Sequence, residues 1–290
     1  MNLSRSVCWL TALLLVLASL PGCAVPVDSV TASPTSVRGD VSNTSRLLAL
    51  LPTDVLLLGE RHDAPEHHRL EQLAVEALAA RGQLAALALE MAERGHTTAE
   101  LPRDASEAAV MAALDWNEAG WPWPPYQPAV MAAVRAGVPV LGANLPRTNM
   151  RAVMADARLD ALLHPMALAE QQEAIREGHC QLLPENQIMP MTRIQLARDA
   201  AMARTVESQL VPGRTVLLIA GGGHVRRDLG VPLHLTPNIA SKVVLAQVQQ
   251  SDEASKLIAN DALPSEAPIA DLILTTPALP PYDACAELRR

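Results

Sequence analysis

Large aromatic side chains are scarce in this sequence, and most of those present lie in one short segment. Phenylalanine is absent, and the 290 residues include two tyrosines and four tryptophans. The segment WNEAGWPWPPY contains Trp116, Trp121, Trp123 and Tyr126. Its prolines predict a rigid aromatic loop rather than a regular helix. Trp116 is typical of core filling, whereas for the other three a flat ligand surface or a subunit interface is an equally good interpretation.

An excess of positive charge is also missing. The 23 basic residues are outnumbered by 31 acidic ones, which gives a formal net charge of −8 at pH 7. Because proteins bind phosphate backbones through clustered lysine and arginine, this balance excludes nucleic acid as the expected partner. Small ligands or other proteins are expected instead.

Long apolar runs are lacking except at the start of the chain. The run from Val7 to Leu20 is shorter than the ~20 residues that a transmembrane helix needs, and its position predicts an export signal peptide. With the LPGC sequence that follows, it resembles a bacterial lipoprotein signal. This implies that residues 1–22 are removed and that Cys23 is acylated. Residues 23–45 are then predicted to be a flexible tether without helix, and residues 46–290 a single domain.

Cysteine is also scarce, with four residues in the chain. Cys8 leaves with the signal peptide and Cys23 is the lipid site, which leaves Cys180 and Cys285. In an oxidising periplasm these two are predicted to form one disulfide bond, and closing so long a loop stabilises the fold by several kcal/mol. A metal role is the weaker interpretation, because no CxxC spacing supports it.

The stretch DVLLLGERHDAPEHH, residues 54–68, predicts a strand that leads directly into a turn and a helix. Residues 55–58 form an apolar run that is typical of a strand covered on both faces. Asp63 has the signature of a helix N-cap, with a glutamate three residues later. A helix is therefore predicted from about Ala64 to Arg81.

The rest of the chain alternates strands with helices. Further strands are predicted at Leu84–Leu89, Val138–Leu141, Thr215–Ala220, Val243–Val248 and Leu272–Thr275. Residues 147–210 are rich in alanine, methionine and leucine and predict a helical cap or insertion. The βαβ rhythm indicates an α/β class fold, Rossmann-like, with a mostly parallel sheet flanked by helices.

Carboxylate and imidazole side chains follow three of these predicted strands. They are Glu60 with His62, then Glu90, and His224. Since the carboxyl ends of parallel strands share one sheet edge, the four are expected to converge there. Such a set suits a divalent transition metal or a general base beside a bound water, although a histidine after a strand is also a common capping group. Gly221–Gly223 are followed by no Lys-Ser/Thr pair, which excludes a Walker loop and favours a close backbone approach.

Seven blocks, in order, resemble the ChaN family of bacterial haem-binding lipoproteins, part of the wider Tiki superfamily. The blocks are GERHDAPEHH (59–68), LEM (89–91), WNEAGWPWPPYQP (116–128), VLGANLPR (140–147), GHCQLLPE (178–185), QLARDAAMA (195–203) and AGGGHVRRDLGVP (220–232). The resemblance covers roughly residues 46–288. It includes the tail PYDACAEL, which agrees with a Cys180–Cys285 bridge.

The resemblance implies a lipid-anchored protein of the bacterial outer membrane that faces the periplasm and takes part in haem or iron uptake. Its cofactor would be non-covalent b-type haem, bound face to face across a homodimer interface, with a haem transport receptor as a further partner. The family's haem binding suggests a tyrosine ligand, which here means Tyr126 or Tyr282. Tyr126 lies inside a family motif and is the predicted ligand, with Trp121 and Trp123 beside it. Phenolate is a hard ligand that suits ferric iron.

Two other functions remain open. The superfamily also contains metal-dependent hydrolases, and their pocket looks like Glu60, His62, Glu90 and His224. A metal-dependent hydrolase is therefore the alternative to haem binding, although its substrate is not indicated by these residues. The third hypothesis is a tethered scaffold that pairs with a transport partner through the aromatic segment.

Overall fold

The computed structural model describes residues 34–249, 268–280, 283 and 285–286. In these residues the chain forms a six-stranded sheet in the order β3-β2-β4-β1-β5-β6, and every strand pairing in it is parallel. The strands are β1 (Val55–Glu60), β2 (Leu84–Glu93), β3 (Val140–Asn144), β4 (Thr215–Gly221), β5 (Ser241–Val248) and β6 (Leu272–Thr276). The predicted α/β class is therefore confirmed. The signal peptide, Cys23 and Tyr282 lie outside the described residues.

Helices cover both faces of this sheet. They are α1 (Pro34–Leu48), α2 (Pro65–Ala80), α3 (Glu107–Ala113), α4 (Trp123–Ala136), α5 (Met150–Met154), α6 (Pro165–Gly178), α7 (Glu185–Glu207) and α8 (Gly222–Val225). Short 3-10 helices occupy Arg147–Asn149, Ala157–Ala161 and Val231–His234. Apolar residues of α2 and α4 fill the core on one face, and residues of α7 and α8 fill it on the other.

Strand β1 lies inside the sheet and is buried along its whole length. Successive side chains of a strand point to opposite faces. Leu56 and Leu58 accordingly pack in the core with α2 and α4, whereas Val55 and Leu57 pack in the core with α7. Glu60 points to the same face of the sheet as Leu56 and Leu58. Its carboxylate is therefore directed between α2 and α4.

Helix α2 confirms the predicted helix but not its predicted cap. Its N-cap is Ala64, with no side-chain hydrogen bond to the first turn. Asp63 instead accepts hydrogen bonds of 2.6 and 2.9 Å from the guanidinium of Arg61. The N-cap prediction was wrong because a nearby cation competes for the same carboxylate.

Helix α1 occupies the second half of the segment that the sequence predicts to be a tether without helix. Leu47 near its end is fully buried and belongs to the core on the α2 face. Arg69 of α2 also pairs with Asp40 of α1 at 3.3 Å. The prediction was wrong for this half because packing against α2 supplies stability that the local composition does not indicate.

The loop between α6 and α7 is covalently tied to the C-terminal tail. Cys180 and Cys285 form the predicted disulfide bond, with Cα atoms 5.6 Å apart and a sequence separation of 105. Among the described helices, none has the length and apolarity that a membrane span requires.

Candidate functional site

The carboxyl edge of the sheet brings together the four residues that follow the predicted strands. Glu60 ends β1, and His224 lies in α8 directly after β4. Glu90 lies inside β2, which is longer than predicted. His62 Nδ1 is 2.8 Å from Glu60 Oε1, and His62 Nε2 is 3.9 Å from Glu90 Oε2. The predicted convergence is observed, while a metal-binding role for these four stays a prediction.

Glu90 is the centre of a buried network of carboxylates and imidazole. Its Oε1 is 3.4 Å from His224 Nε2, and its Oε2 accepts the Gly221 N–H at 2.7 Å. Burial raises the pKa of Glu90, but the charge and hydrogen bond of His224 outweigh burial and lower it to about 2. Burial lowers the pKa of His224, but Glu90 and Asp199 outweigh burial and raise it to about 10. At neutral pH an imidazolium is therefore held between Glu90 and Asp199.

Asp199 is a site residue that is not predicted from the sequence. It lies on α7, is 2% exposed, and its Oδ1 is 2.6 Å from His224 Nδ1. Burial raises its pKa, against the opposing charge of His224. One signal was present in the sequence, because an aspartate among the apolar residues of QLARDAAMA must find a polar partner if that helix face is buried. Spacing alone does not identify the partner.

Gly221 brings the backbone close to this network, as the sequence predicts for the glycine run. A Cβ at this position would lie 2.9 Å from His62 Nε2 and 3.5 Å from Glu90 Oε2. The absence of a Cβ at Gly221 therefore lets the His62 ring lie this close to the backbone.

Glu60 links the network to the aromatic segment. Its Oε1 accepts a hydrogen bond from the Tyr126 hydroxyl at 3.1 Å and is also the atom nearest to His62 Nδ1. Burial raises the pKa of Glu60, but the hydrogen bond and the charge of His62 outweigh burial and hold it well below its ordinary value. Burial and the negative charge of Glu60 raise the pKa of Tyr126 far above its ordinary value. Tyr126 is thus a neutral hydrogen-bond donor here.

A second group of side chains lies against the other oxygen of Glu60. His68 Nε2 is 3.3 Å from Glu60 Oε2, and Glu71, three residues later in α2, is 1% exposed. Burial and the charge of Glu60 raise the pKa of Glu71 well above its ordinary value. One ligand atom from each of Glu60, His68 and Glu71 lies within 4.8 Å of the other two, and no other such group occurs within the described residues. His68 and Glu71 are not among the site residues predicted from the sequence, although their spacing places them on one helix face.

Two adjoining cavities open beside the network. One, of about 550 Å³, is bounded by residues that include His62, Glu90, Asp199 and His224. The other, of about 590 Å³, is bounded by residues that include Trp116, Asn117, Asn144 and Arg147. Glu90, Trp121 and Arg198 line both. Each has the volume of a small-molecule site.

Three of the four aromatic side chains of this segment, those of Trp116, Trp123 and Tyr126, lie in the core, and the segment is helical from Trp123 onward rather than a rigid loop. Helix α4 begins at Trp123 with Pro124 and Pro125 in its first turn, where proline loses no helical hydrogen bond. The loop prediction was wrong from Trp123 onward. Trp123 and Tyr126 are 5% and 2% exposed and line neither cavity. Trp121 lines both, and its ring meets that of His62 edge-on with centroids 4.7 Å apart.

Comparisons with known proteins agree with this architecture. A family model described as haem-binding uptake, Tiki superfamily, ChaN matches residues 47–235. No curated protein matches the sequence significantly. A solved structure described as cofacial heme binding to ChaN of Campylobacter jejuni is 24% identical, covers 72% of this chain and 87% of that chain, and has a TM-score of 0.61. That likeness shows the shared fold.

Two further solved structures are less similar. The type III effector HopBA1 is 13% identical over 78% of this chain and 88% of that chain, with a TM-score of 0.40. A Bacillus cereus protein is 15% identical over 76% of this chain and 70% of that chain, with a TM-score of 0.39.

Proposed function

The chain belongs to the ChaN family of haem-binding uptake proteins in the Tiki superfamily, and we propose that it binds haem in the adjoining cavities at the carboxyl edge of the sheet. Haem combines a flat apolar ring with two propionate carboxylates. A site for it therefore needs an aromatic or apolar wall, a cation for the propionates and a ligand for the iron.

The wall shared by the two cavities is the observation that carries the proposal. Trp121 offers an indole to both cavities, and Arg198 of α7 lines both. The Nε of Arg198 is buried and makes no hydrogen bond to the described residues. A buried guanidinium N–H without an acceptor is unfavourable, and a carboxylate is its natural partner. We assign Arg198 to a haem propionate.

His62 is the iron ligand that the geometry supports best. Its side chain is 38% exposed, and it lines the cavity of about 550 Å³. Its Nδ1 faces Glu60 Oε1 at 2.8 Å, which leaves Nε2 available to the cavity. Metal-binding histidines commonly donate their other ring N–H to a carboxylate in this way, which fixes the tautomer and raises the basicity of the ligand.

Tyr126, the ligand predicted from the family resemblance, is the second candidate. Its hydroxyl is buried and donates to Glu60. Iron ligation by Tyr126 requires that this hydrogen bond break and that the phenol lose a proton next to a buried carboxylate. Trp123 donates its indole N–H to Glu107 at 3.1 Å and lies away from the cavities, so we assign ring contact to Trp121 instead.

The cellular role is proposed on the sequence and the family. We propose anchoring to the outer membrane through an acylated Cys23, a periplasm-facing domain, and a part in haem or iron uptake with a transport receptor as partner. The Campylobacter jejuni relative is described as binding heme cofacially, which supports a homodimer that forms around haem. The comparisons do not favour the alternative, a metal-dependent hydrolase.

A hemin titration of the purified protein, followed by absorption spectra and size-exclusion chromatography, tests the proposal. We expect saturable binding, a shifted Soret band and haem-linked dimerisation. Arg198→Met should weaken hemin binding roughly tenfold, as expected for a lost charge-assisted hydrogen bond of about 1.5 kcal/mol. Arg151→Met, which changes an exposed arginine of α5, is the matched control and should bind normally.

Hemin dimethyl ester separates the propionate contact from general damage to the pocket. It lacks the two carboxylates, so wild type and Arg198→Met should bind it equally. The ligand is identified by His62→Gln and Tyr126→Phe. Loss of the imidazole-type spectrum in the first supports His62, whereas loss of a phenolate charge-transfer band in the second supports Tyr126. Absence of saturable hemin binding by the wild type contradicts the proposed function.

A further inference from the structure

Buried polar atoms without a partner are concentrated at one place in the described structure. Among all the described residues, seven buried side-chain nitrogen or oxygen atoms make no hydrogen bond. Four of the seven belong to three neighbouring residues: Glu60 Oε2, His68 Nε2 and both carboxylate oxygens of Glu71. Leaving even one such atom unsatisfied typically destabilises a protein by about 1–3 kcal/mol, so a cluster of four calls for a ligand or a shared proton.

The cluster is enclosed rather than part of the solvated surface. Glu71 and Glu60 are 1% and 4% exposed, and the side chain of His68 is 10% exposed. The ring of Tyr126 packs edge-on against His68 with centroids 5.0 Å apart. Its hydroxyl points to Glu60 Oε1, the oxygen on the side of His62. The unpartnered Oε2 therefore faces away from the cavity contact of His62.

The spacing of these atoms matches that of ligands around a small cation. His68 Nε2 and Glu60 Oε2 are 3.3 Å apart, and neither is assigned a hydrogen bond. Two ligands each about 2.1 Å from a tetrahedral zinc ion are themselves separated by about 3.4 Å. A ligand atom of Glu71 lies within 4.8 Å of both, a gap that closes when the ion draws the side chains inward.

We propose that Glu60 Oε2, His68 Nε2 and Glu71 form a buried site for a divalent transition-metal ion, with water as the fourth ligand. One imidazole and two carboxylates are a ligand set typical of zinc and its neighbours in the first transition row. The ion compensates two carboxylates that otherwise repel each other in a site of low polarity. This site differs from the predicted set of Glu60, His62, Glu90 and His224, with which it shares Glu60 alone.

A shared proton is the competing explanation. A protonated Glu71 can donate to Glu60, which also removes the repulsion without any metal. Glu71→Gln separates the two explanations, because a glutamine keeps the shape and can donate its amide N–H to Glu60 but is a poor ligand for zinc. If only a proton is shared, this substitution leaves both stability and metal content unchanged.

Zinc binding to the purified haem-free protein, after treatment with a chelator, is measured by calorimetric titration and elemental analysis. We expect one equivalent to bind wild type and the affinity of Glu71→Gln to fall on the order of 100-fold or more, beyond the 10–100-fold typical of residues that only support a ligand. Glu76→Gln, an exposed change on the same helix, is the matched control.

X-ray absorption of the zinc-loaded wild type gives an answer that needs no variant. One imidazole among otherwise oxygen ligands supports the proposed site, whereas two imidazoles place the ion between His62 and His224. The proposal is overturned by that second result, by failure of the wild type to bind zinc, or by a Glu71→Gln protein that binds zinc like the wild type.

Discussion

Replacing Glu90 with glutamine should destabilise the protein by removing one partner of a buried imidazolium. The raised pKa of His224, from 6.5 to about 10, corresponds to about 5 kcal/mol of charge stabilisation shared between Glu90 and Asp199. The lowered pKa of Glu90, from 4.5 to about 2, corresponds to about 3 kcal/mol. The figure of about 3 kcal/mol applies to Glu90→Gln, because this substitution removes the contact between Glu90 and His224 and leaves the contact between His224 and Asp199 in place. We therefore expect a loss of about 3 kcal/mol near pH 6.

The loss should depend on pH in a defined direction. The folded-state pKa of His224 is raised, so its contribution is fully present below pH 6.5 and disappears as the pH rises through about 10. The folded-state pKa of Glu90 is lowered, so its contribution is present above pH 4.5 and disappears as the pH falls through about 2. The stability difference between wild type and Glu90→Gln should be largest from pH 4.5 to 6.5 and should shrink towards pH 10.

Urea unfolding in the presence of a chelator, at pH 6 and at pH 9.5, measures both features. Glu93→Gln is the control, because Glu93 lies on the same strand and makes only a partly exposed pair with Arg147 at 3.7 Å. Its effect should be within about 1 kcal/mol at either pH. A Glu90→Gln effect below about 1 kcal/mol, or one that does not change between the two pH values, would refute the assigned charge network.

Three further outcomes follow from local contacts. Replacing both Cys180 and Cys285 with serine opens a loop of about 100 residues and should lower the free energy of unfolding by about 4.7 kcal/mol in the chain-entropy model. The melting temperature should fall by roughly 10–20 °C, and a fall of less than about 3 °C contradicts this prediction. Tyr126→Phe removes a buried hydrogen bond to Glu60 and should reduce stability by about 1–2 kcal/mol in urea unfolding without changing the sheet, as judged by circular dichroism; an unchanged unfolding midpoint would show that the contact is unimportant. Gly142→Ala places a Cβ in steric conflict with the Glu93 carbonyl oxygen and should destabilise by more than about 2 kcal/mol, whereas Gly178→Ala, with open space around its Cβ, should be neutral or slightly stabilising. Equal thermal stability of the two variants is the contrary result.

The helices show why local sequence is an incomplete guide. Proline in WNEAGWPWPPY predicts a loop, yet Pro124 and Pro125 occupy the first turn of α4, where the rule against proline does not apply. Local sequence cannot show on which side of a proline pair a helix begins. The same holds for α1, whose buried Leu47 depends on contact with α2.

The fold class, the family, the disulfide partners and the meeting of three polar groups at one sheet edge could all be predicted from the sequence. The fold class follows from apolar runs that alternate with helical patterns, and the family from seven motifs in order. The disulfide partners follow because two cysteines remain once Cys8 is placed in the predicted signal peptide and Cys23 at the predicted lipid site. The carboxyl ends of parallel strands must share an edge, so Glu60, Glu90 and His224 were expected to meet before any coordinates were known.

Which atoms at that edge are partners depends on the packing of the helices against the sheet. Asp199 meets His224 from another helix, and Arg198 beside it lines both cavities and has a buried Nε without a partner. The two oxygens of Glu60 serve different groups, with His62 and Tyr126 at Oε1 and His68 and Glu71 near Oε2. Sequence spacing specifies a face of a helix or strand. The separation of a few ångströms that distinguishes a hydrogen bond, an ion pair or a metal site is set by how those faces pack together.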